Sequence, residues 1–411
     1  MTPADSILQP TSLAEVAARA DQVPRQRFPR SVAIDQVRGL VILIMALDHV
    51  RDFVNADSYH INPTDLSATF PALFLTRLVT HVCAPAFVLL AGISAFLYGR
   101  RAGSLPALRR FLLTRGLWLI VLEVTIVGMV WTGKLPGHAL FLQVIWALGV
   151  SMVVLGATLP LGHPVLAAIG LIMIGGHNLL DPIHAAELGV WGPAWHLLHE
   201  KGVPLPFGLR GYVSYPLIPW IGVMMVGYAL GPLFLAEPAL RRRTLLRMGG
   251  VALALFALVR GINNYGDPAP WHVWPDAITT AMAVLNVTKY PPSLDYLLLT
   301  LGVTFLLLAT IDGAGSWIGS VLATYGRVPL FIYVTHLYAA WLMSWIIDLL
   351  QQSTFKNLVG NGASDAPSGA LGLSLPGTYV AWALLMALLF PACRWFARVK
   401  QRRTDWWLSY L

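Results

Sequence analysis

The chain has 411 residues, 56% of them hydrophobic and 12% charged, with a formal net charge of +8. A soluble domain normally carries about a quarter charged residues, so this chain cannot cover a surface that faces water all round. The positive balance is not a nucleic-acid signal, because the basic residues sit in short clusters between apolar runs long enough to cross a hydrocarbon core. The two cysteines, Cys83 and Cys393, fall within such runs and are too few for a disulfide framework or a cysteine-built metal site.

The first thirty residues read as a polar, poorly ordered cytoplasmic tail ending in Arg25, Arg27 and Arg30. Asp5 and Glu15 interrupt them and no apolar core precedes a cleavage site, so they do not read as a signal peptide. Residues 31–411 read as one transmembrane domain, an all-α polytopic helical bundle. Ten spans are expected, at 34–54, 74–98, 108–132, 139–159, 163–180, 213–235, 244–262, 294–311, 327–350 and 374–396. Basic residues alternate across them. Arg100, Arg101, Arg109, Arg110, Arg241, Arg242, Arg243, Arg247, Arg398, Lys400, Arg402 and Arg403 fall on the side of the N-terminal tail, which puts both termini in the cytoplasm. The long loops 181–212, 263–293 and 351–373 are then outside and rich in Pro, Trp and His, as loops that recognise a ligand often are.

Span one carries Asp35, Arg38, Ile42, Met45, His49 and Asp52 on one helical face, polar at both ends and apolar between. Asp48 and Arg51 lie beside that face. Span two opens with Thr76-Arg77-Leu-Val-Thr-His81, which places Arg77 and His81 one turn apart. Ionisable groups at membrane depth are costly unless they pair or face a wet cavity. One reading of this cluster is a salt-bridge network that locks two helices. The other is a polar cavity in which a histidine moves protons, a role that a near-neutral pKa suits. Farther along, Tyr333 and His336 share a face in the ninth span, where Pro329 offers a kink, and Trp271 and His272 mark an aromatic outer loop.

Several motifs, in this order, resemble the heparan-alpha-glucosaminide N-acetyltransferase catalytic-domain family, especially its bacterial branch. They are Asp35-x-x-Arg38-Gly39, the Asp48-His49 step, Cys83-Ala84-Pro85-x-Phe87 running to Ala91-Gly92-x-Ser94, and Tyr215-Pro216-x-x-Pro219-Trp220. They continue with Lys289-Tyr290-Pro291-Pro292-Ser293, Tyr325-Gly326-Arg327-x-Pro329 and Asp405-Trp406-Trp407. The resemblance covers about residues 31–411. It implies transfer of an acyl group, acetyl in the family, from cytoplasmic acetyl-CoA to a sugar or glycan acceptor on the outer side of a bacterial inner membrane. By spacing, the active-site histidine of the lysosomal member falls at His60, but the Trp-Asn-Gly that follows it in the family is absent here. His49 and His81 therefore stand first as base or acyl carrier.

In that chemistry Asp52 or Asp48 orients the histidine and Arg77 faces the developing negative charge. Asp35, Arg38, Arg100 and Arg101 hold acyl-CoA, and Arg51, Tyr333, His336 and Trp271 contact the acceptor. No metal is expected. The partners implied are the lipid bilayer and the acceptor, with no nucleic acid, and a homodimer is one arrangement the sequence allows. Two other readings stay open: a proton-coupled secondary transporter, which uses the same intramembrane residue types, and a membrane scaffold without catalysis.

Overall fold

The computed structural model describes residues 32–133, 139–311, 316–352, 372–403 and 405–409. The N-terminal tail and most of the 351–373 loop lie outside them. The described chain is almost entirely helical: α1 Val32–Val54, α2 Pro71–Thr80, α3 Cys83–Ala102, α4 Leu105–Leu122, α5 Gly128–Thr132, α6 Val144–Thr158, α7 His163–Gly176, α8 Gly192–Leu198, α9 Leu217–Ala229, α10 Pro238–Ile262, α11 Ala277–Leu285, α12 Leu294–Thr310, α13 Trp317–Gly326, α14 Pro329–Gln352 and α15 Leu375–Arg402. A π-helical turn, Glu123–Val127, joins α4 to α5. Eight helices or continuous helix pairs are long and apolar enough to cross a bilayer. Two more, α1 with its charged ends and the 17-residue α12, coincide with the first and eighth expected spans. The protein is thus an all-α polytopic membrane bundle.

Several boundaries differ from the periodicity, and three of them have a clear local reason. Span two is broken at His81–Val82, between α2 and α3. Pro85 has no N–H to return to the carbonyl of His81 and its ring crowds that carbonyl. The Tyr296 hydroxyl donates to it instead, at 2.8 Å. The segments expected to open spans four and six are short strands, β1 Leu140–Leu142 and β2 Gly211–Val213, paired in parallel with Phe141 opposite Tyr212. After β1 the Glu123 carboxylate accepts from the backbone N–H groups of Gln143 and Trp146, at 3.3 and 3.1 Å, so helix begins at Val144. After β2, Pro216 holds Tyr215 extended and delays helix to Leu217. Pro329 is the first residue of α14 rather than a kink within it.

The fully buried apolar side chains of α1, Val37, Val41, Ile42, Ala46 and Val50, sit among α3, α13, α14 and α15. The α1–α13 crossing is backbone on backbone. A Cβ at Gly39 would meet the carbonyl oxygen of Leu322 at 1.9 Å, and one at Gly326 the carbonyl oxygen of Asp35 at 1.8 Å. Only glycine permits this approach. It also brings the Gly326 carbonyl to the Arg38 guanidinium, at 3.3 Å.

Candidate active site

Asp48 and His49 are consecutive on α1 and therefore project about 100° apart. Each feeds a different constellation. Asp48 faces α2 and the segment before α12. Its Oδ1 accepts from the Thr80 hydroxyl at 2.9 Å and forms an ion pair with Arg51 Nη2 at 2.8 Å, and its Oδ2 accepts from Arg77 Nη1 at 2.6 Å. Lys289 Nζ lies 4.0 Å from the same Oδ2 and 5.2 Å from the centre of the Tyr290 ring, which packs edge-on against Tyr215. Arg51 Nη2 also donates to Asp52, at 2.6 Å. Three cations thus surround two carboxylates, of which Asp52 is the more exposed, its side chain at 35%. Breaking such a buried pair leaves a charge without its counterion, which makes Asp48 the keystone of this end of the bundle.

His49 faces the other way. Its Nδ1 is 2.7 Å from His336 Nε2, and the two ring planes lie within 7° of parallel. The His336 Nδ1 is 2.7 Å from the carbonyl oxygen of Ile332, one turn back on α14. A carbonyl only accepts, so His336 donates through Nδ1 and, as a neutral ring, accepts through Nε2. His49 must then donate through Nδ1, which leaves the lone pair on its Nε2. The orienting partner of His49 is a histidine on α14; Asp48 is occupied by Arg51 and Arg77, and Asp52 by Arg51. Around the pair stand Trp131 of α5 and Tyr333 of α14, edge-on to His49 with ring centres 5.3 and 6.1 Å away. Phe53 stacks on Trp131, which meets Phe141 of β1.

Tyr333 also lines a cavity of about 370 Å³ between α1, α3, α4, α6 and α14. At one end the lining carries Arg38, Arg101, Arg115, Arg327 and Lys400 with Asp35. Arg38 is fixed there, donating to Ser94 Oγ at 2.7 Å and to Asp35 at 3.3 Å. The middle is apolar, walled by residues such as Met45, Phe87, Leu119, Ile145 and Met152. Arg38 and His49 are eleven residues apart on α1, roughly 16 Å by helical rise. The cavity therefore runs from a cationic mouth through an apolar channel to the tyrosine that touches the histidine pair.

The remaining expected residues fall elsewhere. His81 is buried at the α2–α3 break. Its ring lies edge-on to Tyr296, 5.4 Å between centres, and neither ring nitrogen has a partner among the described residues. No hydrogen bond or ring contact among the described residues joins it to His49. Arg101 lines the cavity and Arg100 does not; Arg109 and Arg110 border a separate shallow groove on α4. Trp271 is tied to the end of α10, its indole donating to the Arg260 carbonyl at 2.8 Å. Arg260 in turn donates to the carbonyls of Val284, Ala283 and Asn286 and so pins the 263–293 loop. His60 is exposed in the loop after α1. Among the described residues no three of His, Cys, Asp and Glu gather into a group that could hold a metal. Not singled out from sequence were Trp131, Arg327 and Lys400, and the site role of Lys289. Arg327 and Lys289 do stand in the motifs, each beside an aromatic residue or glycine and a proline at the edge of an apolar run, which was the available signal.

No curated protein matches the chain. The family model described as heparan-alpha-glucosaminide N-acetyltransferase, catalytic, matches residues 30–262, which spans α1, α3 and α6 with their share of the cavity and of the histidine pair. The chain belongs to the heparan-alpha-glucosaminide N-acetyltransferase catalytic-domain family.

Proposed function

We propose that this chain is a membrane acyltransferase that draws acyl-CoA, acetyl-CoA in the simplest case, into the cavity from its cationic mouth and transfers the acyl group to a sugar or glycan acceptor at the His49 end. The observation that carries the reading is the continuity of the cationic end, the apolar channel and Tyr333, whose ring lies edge-on to both histidines. Arg38, Arg101, Arg115, Arg327 and Lys400 suit the phosphates of the nucleotide, and an apolar channel suits the pantetheine arm. His49 Nε2 is the base. As the acceptor amine or hydroxyl attacks the thioester carbonyl carbon, its proton passes to Nε2. The tetrahedral intermediate then collapses, the C–S bond breaks and the CoA sulfur leaves with that proton. His336 holds the His49 tautomer that makes this possible.

The positive-inside pattern supports a cytoplasmic mouth with acceptor delivery from the opposite side, across the bacterial inner membrane. A carrier would use the same residue types, but a buried histidine whose tautomer is held by a second histidine suits chemistry better than passage. Proteoliposomes given acyl-labelled acyl-CoA and a panel of amino sugars separate the two. Release of free CoA with label on the sugar supports the enzyme. Accumulation of an unmodified solute with no CoA release contradicts it.

A further inference from the structure

Resting on that acyltransferase reading, we infer that Tyr333 is a catalytic residue: its phenol hydroxyl donates a hydrogen bond to the thioester oxygen as that atom becomes an oxyanion. Three observations meet at this side chain. Tyr333 is 4% exposed, and its hydroxyl has no partner among the described residues. Buried phenols normally find one, because an unmet donor costs free energy. The same residue lines the inner cavity, which brings its side chain next to the space a thioester would fill. Its ring also sits edge-on to both histidines, with centres 6.1 Å from His49 and 5.8 Å from His336.

An oxyanion needs a donor that is already in place and not spent on another acceptor. Arg77, the cation expected from sequence to do this, donates to Asp48 at 2.6 Å. Arg51 is held in ion pairs by Asp48 and Asp52 and does not line the cavity. Tyr333 stands beside the base with its donor still available. In the step itself the C=O π electrons move onto oxygen as the acceptor attacks, and the phenol proton stays on tyrosine while bonding that oxygen. Collapse re-forms C=O, breaks C–S and sends the His49 proton out on sulfur.

The test is Tyr333→Phe in the full chain reconstituted in nanodiscs, with Tyr333→Ala as a shape control. Acyl transfer, acetyl-CoA binding and thermal unfolding are measured on each. The inference expects kcat to fall about 10²–10³-fold in Tyr333→Phe, acetyl-CoA affinity to stay within about threefold, and the unfolding temperature to stay or rise, since an orphan hydroxyl has been removed. Transfer within about threefold of wild type overturns it. So does a kcat loss matched by a fall in unfolding temperature, which would mean that the hydroxyl is structural. These outcomes leave the acyltransferase reading standing as long as wild type transfers and His49→Gln does not. A wild-type chain that neither binds acyl-CoA nor transfers an acyl group overturns both.

Discussion

His49 and His336 stand 287 positions apart and share one hydrogen bond, Nδ1 to Nε2 at 2.7 Å, whose direction is set by the Ile332 carbonyl behind His336. A second imidazole thus does what a carboxylate does in other acid–base pairs: it fixes the tautomer of its neighbour, the base of the proposed reaction. It does so without placing a negative charge beside it.

Replacing His49 by Gln removes the base and should lower kcat by about 10²–10⁴-fold. His336→Gln should cost less, because its amide oxygen can still accept from His49 Nδ1, whereas His336→Leu should approach the His49→Gln loss. Initial rates at saturating acyl-CoA check the order. A His336→Leu enzyme as fast as His336→Gln would show that the partner's acceptor is unimportant.

The mouth of the cavity separates arginines that sequence alone groups together. Arg101→Ala should raise the KM for acyl-CoA about tenfold, the loss of ~1.4 kcal/mol of binding, and more steeply at low salt. Arg110→Ala, on the outer groove of α4, should stay within about twofold. Equal effects in a side-by-side titration would move the nucleotide site away from this mouth.

Asp48 gathers three cations, so Asp48→Asn should destabilise the bundle by about 3–5 kcal/mol. Adding Arg77→Met to it should recover part of that loss, since one uncompensated charge goes with its counterion. Unfolding of the two single variants and the double variant in the same nanodiscs gives the cycle. Strict additivity would mean that the pair is not coupled.

The glycines at the α1–α13 crossing should tolerate nothing larger. Gly39→Ala or Gly326→Ala places a Cβ within 2 Å of a backbone oxygen and should cost about 3 kcal/mol or more. Gly250→Ala on α10, where nothing lies within 4 Å, should gain up to about 1 kcal/mol. Yield and thermal stability of the three variants in one detergent check the contrast.

Most of the apolar helices and the polar cluster of α1 were legible in the sequence because hydrophobic length and helical phase are local properties. The face carrying Asp35, Arg38 and Met45 does line the cavity. Partnership between helices was not legible. Periodicity puts Tyr333 and His336 on one face of α14, but nothing in it says that this face meets His49. Nor does it say that Arg77 is spent on Asp48. The break at His81–Val82 was readable in principle from Pro85 four residues on. The parallel pairing of β1 and β2 was not, since each strand has three residues and the two lie far apart in the chain.

If the acyl group of acyl-CoA reaches the Tyr333–His49 end of the cavity, a CoA thioester carrying a diazirine in its acyl chain will photo-crosslink there. After irradiation of the reconstituted chain, peptide mapping should find label on Met45, Tyr333 or their neighbours in the channel, competed away by acetyl-CoA. Competable label confined to the Arg109–Arg110 groove or to the 181–212 and 263–293 loops would contradict the account.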